Sequence, residues 1–215
     1  MRAYYSACRF LARASLGFLS GMEVRGQSNI PRHGGLLLAS NHVSFWDPPM
    51  VGSTIPREVH FLAKDALFDT PGLGSLIRSL NAIPIRRGVA DLSGMSRAVG
   101  VLKAGGALLI FPEGSRMRDG ELHAARPGVG LLAVQSDVPV VPCSIVGSGR
   151  PRLWMTRRVH VRIWFGPPRT WRELAGPDVD PMPGRALYQR VGDGIMREIA
   201  ALRSGQNQTA SRGAA

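Results

Sequence analysis

Residues 36–49 read LLLASNHVSFWDPP and join an apolar run to the start of a helix. An apolar run of this length that ends in polar residues indicates a buried strand. Asp47 followed by two prolines is typical of a helix N-terminus, with Asp47 as the N-cap and Pro48 at the first helical position. A buried strand that leads into a helix indicates an α/β fold, in which functional residues lie on the loops after the strands.

Short apolar runs and helical patterns alternate on both sides of this stretch. They predict strands at Glu23–Arg25, Gly35–Ser40, Val59–Ala63, Ile83–Ile85, Ala107–Phe111, Val140–Ile145 and Val159–Phe165. They predict helices at Pro48–Ile55, Pro71–Leu80, Leu92–Lys103, Val129–Gln135 and Arg185–Leu202, and a surface loop rich in Pro and Gly at Gly166–Gly184. We therefore expect an α/β protein: a single domain with a mixed, largely parallel sheet of about seven strands flanked by helices.

Composition excludes several classes of protein. The chain has 215 residues, of which 44% are hydrophobic and 20% charged, so it can bury a sizeable core and is not disordered as a whole. Two cysteines, Cys8 and Cys143, make no disulfide framework and match no zinc spacing. No run reaches the roughly 18–20 apolar residues that a membrane-spanning helix needs.

The chain is strongly basic, with a formal net charge of +12. Such an excess favours a polyanionic partner, which could be nucleic acid, an anionic membrane surface or a phosphorylated substrate. A compositional bias toward arginine is the alternative. The charge alone does not choose among them.

The first twenty residues predict an amphipathic helix with a narrow polar stripe against a broad apolar and aromatic face. The stripe contains Arg2, Ser6, Arg9, Arg13 and Ser20. We expect residues 1–20 to lie in the plane of a membrane surface, with the three arginines toward the lipid headgroups. Docking on the protein's own core and a secretory signal are the alternatives. The predicted division is then 1–20 for this helix, 21–203 for the folded domain and 204–215 for a disordered tail.

His42 and Asp47 form the first candidate site. If the segment between them curls back, the carboxylate reaches one imidazole nitrogen and stabilises the cation formed when the other nitrogen accepts a proton. That pair is a general base for a hydroxyl that the substrate brings. The alternative makes Asp47 a simple N-cap and His42 a structural histidine.

Two further clusters follow predicted strands. In Phe111–Arg116, a glutamate and an arginine lie on a tight Pro/Gly loop, where Glu113 could accept a hydroxyl hydrogen bond and Arg116 could bind phosphate. In Ile83–Gly88, Arg86 and Arg87 come at the end of a short strand. A surface ion pair and two solvated arginines are the respective alternatives. The Val-Pro run at 138–142 has no catalytic side chain and is expected to form a wall or core strand.

Together these stretches resemble the glycerolipid acyltransferase family, best known from the 1-acylglycerol-3-phosphate acyltransferases. The family's hallmark, Asn-His-x4-Asp, is matched at Asn41–Asp47. Its other blocks are matched at Ile83–Arg87, at Phe111–Arg116 (Phe-Pro-Glu-Gly-Thr/Ser-Arg in the family) and at Val138–Pro142. The resemblance runs from about Gly26 to Phe165, and four blocks in order are far more specific than His-x4-Asp alone.

The resemblance implies a role for each matching residue. His42 would deprotonate the free hydroxyl of a lysophospholipid, Asp47 would orient His42, and the hydroxyl would attack an acyl thioester with no covalent acyl-enzyme. The implied substrate-binding residues are Lys64, Arg87, Glu113, Gly114, Ser115, Arg116 and Arg126. Among them, Arg87 and Arg116 would bind phosphate and Glu113 the glycerol backbone. Relatives often have lysine at the Arg126 position and an acidic residue at the Arg86 position.

The resemblance also implies a reaction and a location. The expected enzyme moves a fatty acyl group from acyl-CoA or acyl-carrier protein to lysophosphatidic acid, giving phosphatidic acid, without a metal or other cofactor. We expect it at the cytoplasmic face of the cell membrane as a peripheral protein. The alternatives are another acceptor (a different lysophospholipid, a lyso-ornithine lipid or glycerol 3-phosphate), a non-catalytic lipid-binding relative and a basic nucleic-acid-binding module. Few aromatic residues and no recognition motif argue against nucleic acid as a partner.

Overall fold

The computed structural model describes residues 2–86, 91–177 and 182–212. Its strands are β1 (Glu23–Arg25), β2 (Leu36–Ser40), β3 (Val59–Lys64), β4 (Ala82–Ile85), β5 (Ala107–Ile110), β6 (Val140–Val146) and β7 (Arg162–Phe165). Its helices are α1 (Ala3–Ser20), α2 (Asp47–Thr54), α3 (Leu73–Ser79), α4 (Leu92–Lys103), α5 (Pro127–Ser136), α6 (Pro151–Trp154), α7 (Trp171–Ala175) and α8 (Arg185–Arg212).

The seven strands form one sheet in the order β1-β7-β6-β2-β5-β3-β4. All neighbouring pairs are parallel except β6 and β7. The predicted mixed, largely parallel α/β sheet is therefore confirmed. Because β2 lies between the parallel strands β5 and β6, the loops that follow these three strands meet at one edge of the sheet.

Both faces of the sheet are covered by helices. Leu36 and Leu38 of β2 face α1 and α2, whereas Leu37 and Ala39 face the core shared with α4, α5 and α8. All four side chains have no exposed surface. This burial on both faces explains why the sequence of β2 is an uninterrupted apolar run rather than an alternating one.

The C-terminal helix corrects the predicted tail. Disorder is predicted from Ser204, but α8 continues to Arg212, and the fully buried Gln206 hydrogen-bonds Ser144 of β6. The stretch predicted as a surface loop, 166–184, also contains α7, which a capping box between Thr170 and Glu173 starts and which buries Trp171. Both errors arise because local composition does not show which polar or small residues pack against the sheet.

Within the described part of the chain, none of the helices combines the length and the apolar character needed to cross a bilayer. The predicted N-terminal helix is present as α1, and it packs on α2 at one face of the sheet.

Gly130 provides a test of the packing between α5 and α8. A Cβ atom at this position would lie 1.9 Å from the Tyr188 carbonyl oxygen of α8, so the two helix backbones are in direct contact there. We expect Gly130→Ala to lower the free energy of unfolding by about 3 kcal/mol or more, measured by urea denaturation. Gly100 lies on the exposed face of α4, and a Cβ atom at this position would have no other atom within 4 Å. The matched variant Gly100→Ala should instead stabilise the protein by about 0.5–1 kcal/mol, and equal effects at both positions would contradict this packing.

Candidate active site

His42 and Asp47 are in direct contact at the end of β2. The His42 Nδ1 atom lies 2.8 Å from Asp47 Oδ2, and both residues are buried. The same Oδ2 accepts hydrogen bonds from the backbone N–H groups of Val43 and Ser44, each at 2.7 Å. Because the carboxylate is an acceptor toward all of these groups, Nδ1 carries the proton and Nε2 is the nitrogen left to accept one.

This geometry corrects the expectation for the start of α2. The helix begins at Asp47 itself, after Trp46 in the cap position, and the carboxylate bonds backward to the preceding loop rather than forward to the helix. The reading of Asp47 as a simple N-cap is therefore wrong, because the segment between the two residues curls back and brings the carboxylate to the His42 ring.

The loop after β5 braces His42 from the opposite side. The Phe111 ring stacks on the imidazole at a centroid distance of 4.0 Å. The backbone N–H of His42 donates to Glu113 Oε2 at 2.9 Å. The Met117 N–H donates to the His42 carbonyl at 2.7 Å. Both the ring and the backbone of His42 are thus fixed by a second strand end.

Glu113 is a buried carboxyl with an altered acidity. Burial raises the pKa of Glu113 to about 7, against the opposing effect of the hydrogen bond from the His42 backbone N–H. Its other carboxylate oxygen, Oε1, is buried and accepts no hydrogen bond from the residues that the structure describes. Sequence reasoning gave Glu113 only a substrate contact, whereas in the structure Glu113 accepts a hydrogen bond from the backbone of the histidine.

The other predicted substrate residues divide into three groups. Lys64 and Arg116 are exposed and line the same cavity as His42. Arg126 does not line this cavity; its Nε donates to the Glu113 carbonyl at 3.2 Å. Its side chain packs over Gly114, which turns the chain with a φ of 73° before Ser115. Arg87 lies outside the described residues.

A largely apolar cavity of about 390 Å³ opens beside His42. Its walls come from α1, α2, α3 and β3, with Trp46, Phe61, Leu73 and Ile77 among the apolar lining residues. Lys64, Arg116 and His42 supply polar groups on the side of the cavity nearest the strand ends, and Tyr5 and Arg9 supply others from α1. An extended apolar ligand with an anionic head matches this distribution.

Helix α1 has the opposite orientation from the one expected for its arginines. Arg2 pairs with Glu58 at 3.2 Å, and the Arg9 Nη1 atom donates to the Ile55 carbonyl at 3.3 Å, so the polar stripe faces the protein. Phe10 and Phe18 are 69% and 71% exposed. The assignment of Arg2 and Arg9 to lipid headgroups is corrected, and the apolar face of α1 is the one turned outward.

Sequence reasoning gave no role to two buried polar residues of the site, Asn41 and Ser148. Asn41 hydrogen-bonds both backbone groups of Ile145 and so ties the end of β2 to β6. The Ser148 Oγ atom donates to Asp47 Oδ1 at 2.6 Å. The available signal for Ser148 was its place in a Gly-Ser-Gly turn shortly after a predicted strand, which is the kind of place that made His42 a candidate.

Comparisons with known proteins show similarity to acyltransferases. A family model described as Acyltransferase matches residues 21–146. The chain is 26% identical over 207 residues to a 1-acyl-sn-glycerol-3-phosphate acyltransferase of Bacillus subtilis, covering 95% of this chain and 99% of that protein. It is 28% identical to the chloroplastic 1-acyl-sn-glycerol-3-phosphate acyltransferase BAT2 of Brassica napus, over 60% of this chain but only 38% of that protein. The crystal structure of the 1-acyl-sn-glycerophosphate acyltransferase PlsC from Thermotoga maritima superposes with a TM-score of 0.71 at 26% identity, covering 93% of this chain and 79% of that chain.

The raised pKa of Glu113 predicts a pH-dependent loss of stability. At a pH below 4.5, the ordinary pKa of a glutamate carboxyl, Glu113 is protonated in both the folded and the unfolded chain. As the pH rises toward 7, the unfolded chain ionises first, so the free energy of unfolding falls by about 3 kcal/mol over this window. Glu113→Gln cannot ionise, and we expect it to lose less stability than the wild type in urea denaturation between about pH 4.5 and 7.5.

Glu121→Gln is the matched control for this prediction, because it removes an exposed carboxyl from the same loop. Its stability should follow the wild-type pH dependence. Parallel curves for the wild type and Glu113→Gln would contradict the raised pKa.

Proposed function

Because this chain belongs to the acyltransferase family, we propose that it transfers a fatty acyl group from acyl-CoA or acyl-carrier protein to the free hydroxyl of lysophosphatidic acid, giving phosphatidic acid. The observation that carries the proposal is the His42–Asp47 pair at one side of an apolar cavity that also contains Lys64 and Arg116. A base, an apolar wall and two cations are the groups that this reaction needs in one place.

His42 acts as the general base in this mechanism. Its Nε2 atom accepts the proton of the acceptor hydroxyl, while Asp47 stabilises the imidazolium through Nδ1. The hydroxyl oxygen attacks the thioester carbonyl, a C–O bond forms, the C–S bond breaks, and the imidazolium returns its proton to the leaving thiolate. No covalent acyl-enzyme is needed, because the substrate itself brings the nucleophile.

The cavity supports the choice of a fatty acyl group. Its walls are mostly aliphatic and aromatic side chains from α1, α2, α3 and β3, which stabilise a hydrocarbon chain by removing it from water. Its contact with His42 would place the reactive end of such a chain at the base.

Phosphate recognition is proposed for Arg116 and Lys64. Both are exposed cations on the wall of the cavity, and the Arg116 guanidinium lies 5.7 Å from the ring centroid of Phe45. A guanidinium can bind phosphate through two parallel hydrogen bonds. Arg87 remains a sequence-based candidate for the same anion. Arg126 has a different part in the proposal, since it supports the Glu113 loop.

We propose that the outward face of α1 binds the cytoplasmic face of the cell membrane. Phe10, Leu11 and Phe18 are all more than 60% exposed, and Phe45 and Trp46 are also exposed and line the cavity. A protein helix that turns its polar stripe inward and its aromatic side outward is suited to a lipid surface rather than to water. The lipid substrate could then reach His42 without passing through bulk water.

Acyl transfer itself can be measured with purified protein. Labelled acyl-CoA or acyl-carrier protein is supplied with lysophosphatidic acid, another lysophospholipid, a lyso-ornithine lipid or glycerol 3-phosphate. We expect preference for lysophosphatidic acid, and His42→Ala should lower kcat at least about 10³-fold. His33 is an exposed histidine on the loop before β2, and the control variant His33→Ala should keep wild-type activity.

Two results would overturn this function. Preference for an acceptor without phosphate would contradict the roles of Arg116 and Lys64. Unchanged activity of His42→Ala would contradict acid–base chemistry at this site and favour a non-catalytic lipid-binding protein.

Membrane binding can be tested by vesicle flotation with anionic phospholipid vesicles. The double variant Phe10→Gln/Leu11→Gln removes two exposed apolar side chains from α1, and we expect its partition coefficient to fall at least about tenfold. Leu92→Gln changes a residue that is 75% exposed on α4 and should bind like the wild type. Binding of RNA at physiological salt without vesicle binding would instead support the nucleic-acid alternative.

A further inference from the structure

We propose that Ser148 is a positioning residue for acyl transfer, acting on the general base through the far oxygen of Asp47. The inference rests on the proposed function of His42. Ser148 lies in the turn after β6, outside the family blocks matched in the sequence, and it has no contact with the substrate cavity in the described lining.

The two oxygens of Asp47 have different partners. Oδ2 accepts hydrogen bonds from the His42 ring and from two backbone N–H groups of the preceding loop. Oδ1 accepts from the Ser148 hydroxyl at 2.6 Å, and among the described residues it has no other donor. Both Asp47 and Ser148 have no exposed surface, so water does not replace this hydrogen bond.

Ser148 is itself rigidly held. Gly147 before it has a φ of 91°, and a Cβ atom there would lie 2.5 Å from the His160 carbonyl oxygen. The Ser148 carbonyl accepts a hydrogen bond of 3.1 Å from the indole N–H of Trp154, which is 1% exposed. The Trp154 ring also contacts Trp46 edge to face at 5.8 Å. One buried indole therefore packs against the residue before Asp47 and fixes the residue that binds its carboxylate.

The hydrogen bond from Ser148 constrains rotation of the carboxylate. If Oδ1 had no donor, the carboxylate could turn about its Cβ–Cγ bond, and Oδ2 would spend less time in line with His42 Nδ1. Constraining Oδ1 keeps Oδ2 aimed at the imidazole while the ring alternates between neutral and protonated forms during each turnover. Ser148 does not exchange a proton with substrate and is not a catalytic residue.

Ser148→Ala tests this role. We expect kcat to fall about tenfold to a hundredfold, because a hydrogen bond to a buried charged group is lost. KM should change less than about twofold, since the cavity is untouched.

Ser144→Ala is the matched control. Ser144 is also fully buried and belongs to β6, but its hydroxyl donates to Gln206 at 2.7 Å and does not contact Asp47. Each variant loses one hydrogen bond from a buried hydroxyl, so we expect similar decreases in their melting temperatures. Only Ser148→Ala should lose kcat. Equal loss of kcat in the two variants, or none in Ser148→Ala, would overturn the proposal.

Two further measurements decide the question if Ser148→Ala does not fold or if the acceptor is misassigned. Ser148→Thr keeps a hydroxyl and should retain more activity than Ser148→Cys, whose thiol is a weak donor; equal activities would overturn the proposal. The low-field proton resonance of the His42–Asp47 hydrogen bond, assigned by its absence in His42→Ala, requires no substrate. It should shift in the Ser148 variants and not in Ser144→Ala, and an unshifted resonance would refute the role of Ser148 whatever the acceptor is.

Discussion

The rest of this structure depends on the hydrogen bonds that surround one fully buried carboxylate. Asp47 has no contact with solvent, and an ionised group in such a place is stable only if hydrogen-bond donors surround it. Its donors come from the loop after β2 and from the turn after β6. The two strands must therefore be adjacent, parallel and in register, which is the arrangement found at the centre of the sheet.

The parallel sheet also assembles the remaining parts of the site. The loop after β5 supplies Phe111 and Glu113 to His42, and β3, on the other side of β5, ends at Lys64. Residues that are distant in the chain thus meet at one edge because their strands end there. The Asn41 side chain adds a direct bond between the ends of β2 and β6, so the base is built on a fixed backbone.

The sequence was sufficient for the parts of this arrangement that have a local pattern. We could predict a buried strand from the apolar run of β2 and an α/β fold from the alternation of strands and helices. The spacing from His42 to Asp47 indicated that the two side chains could meet. Ser148 could not be assigned to Asp47, because their hydrogen bond depends on which strands are neighbours. The inward direction of Arg2 and Arg9 was also inaccessible, since helical periodicity shows that two faces differ but not which one meets the protein. The dual contacts of Glu113 and the course of α8 over β6 likewise depend on tertiary packing.

Helix α1 has a practical consequence for anyone who shortens this protein. Removing the first twenty residues would delete the exposed side chains of Phe10 and Phe18, but it would also uncover the apolar core of α2 and the sheet on which Tyr5 and Leu16 pack. The same cut would remove Tyr5 and Ala12 from the cavity wall, and it would leave the Val59 N–H without the Tyr5 hydroxyl that it meets at 3.1 Å. Substrate selectivity measured on such a fragment would describe a different pocket from that of the full chain.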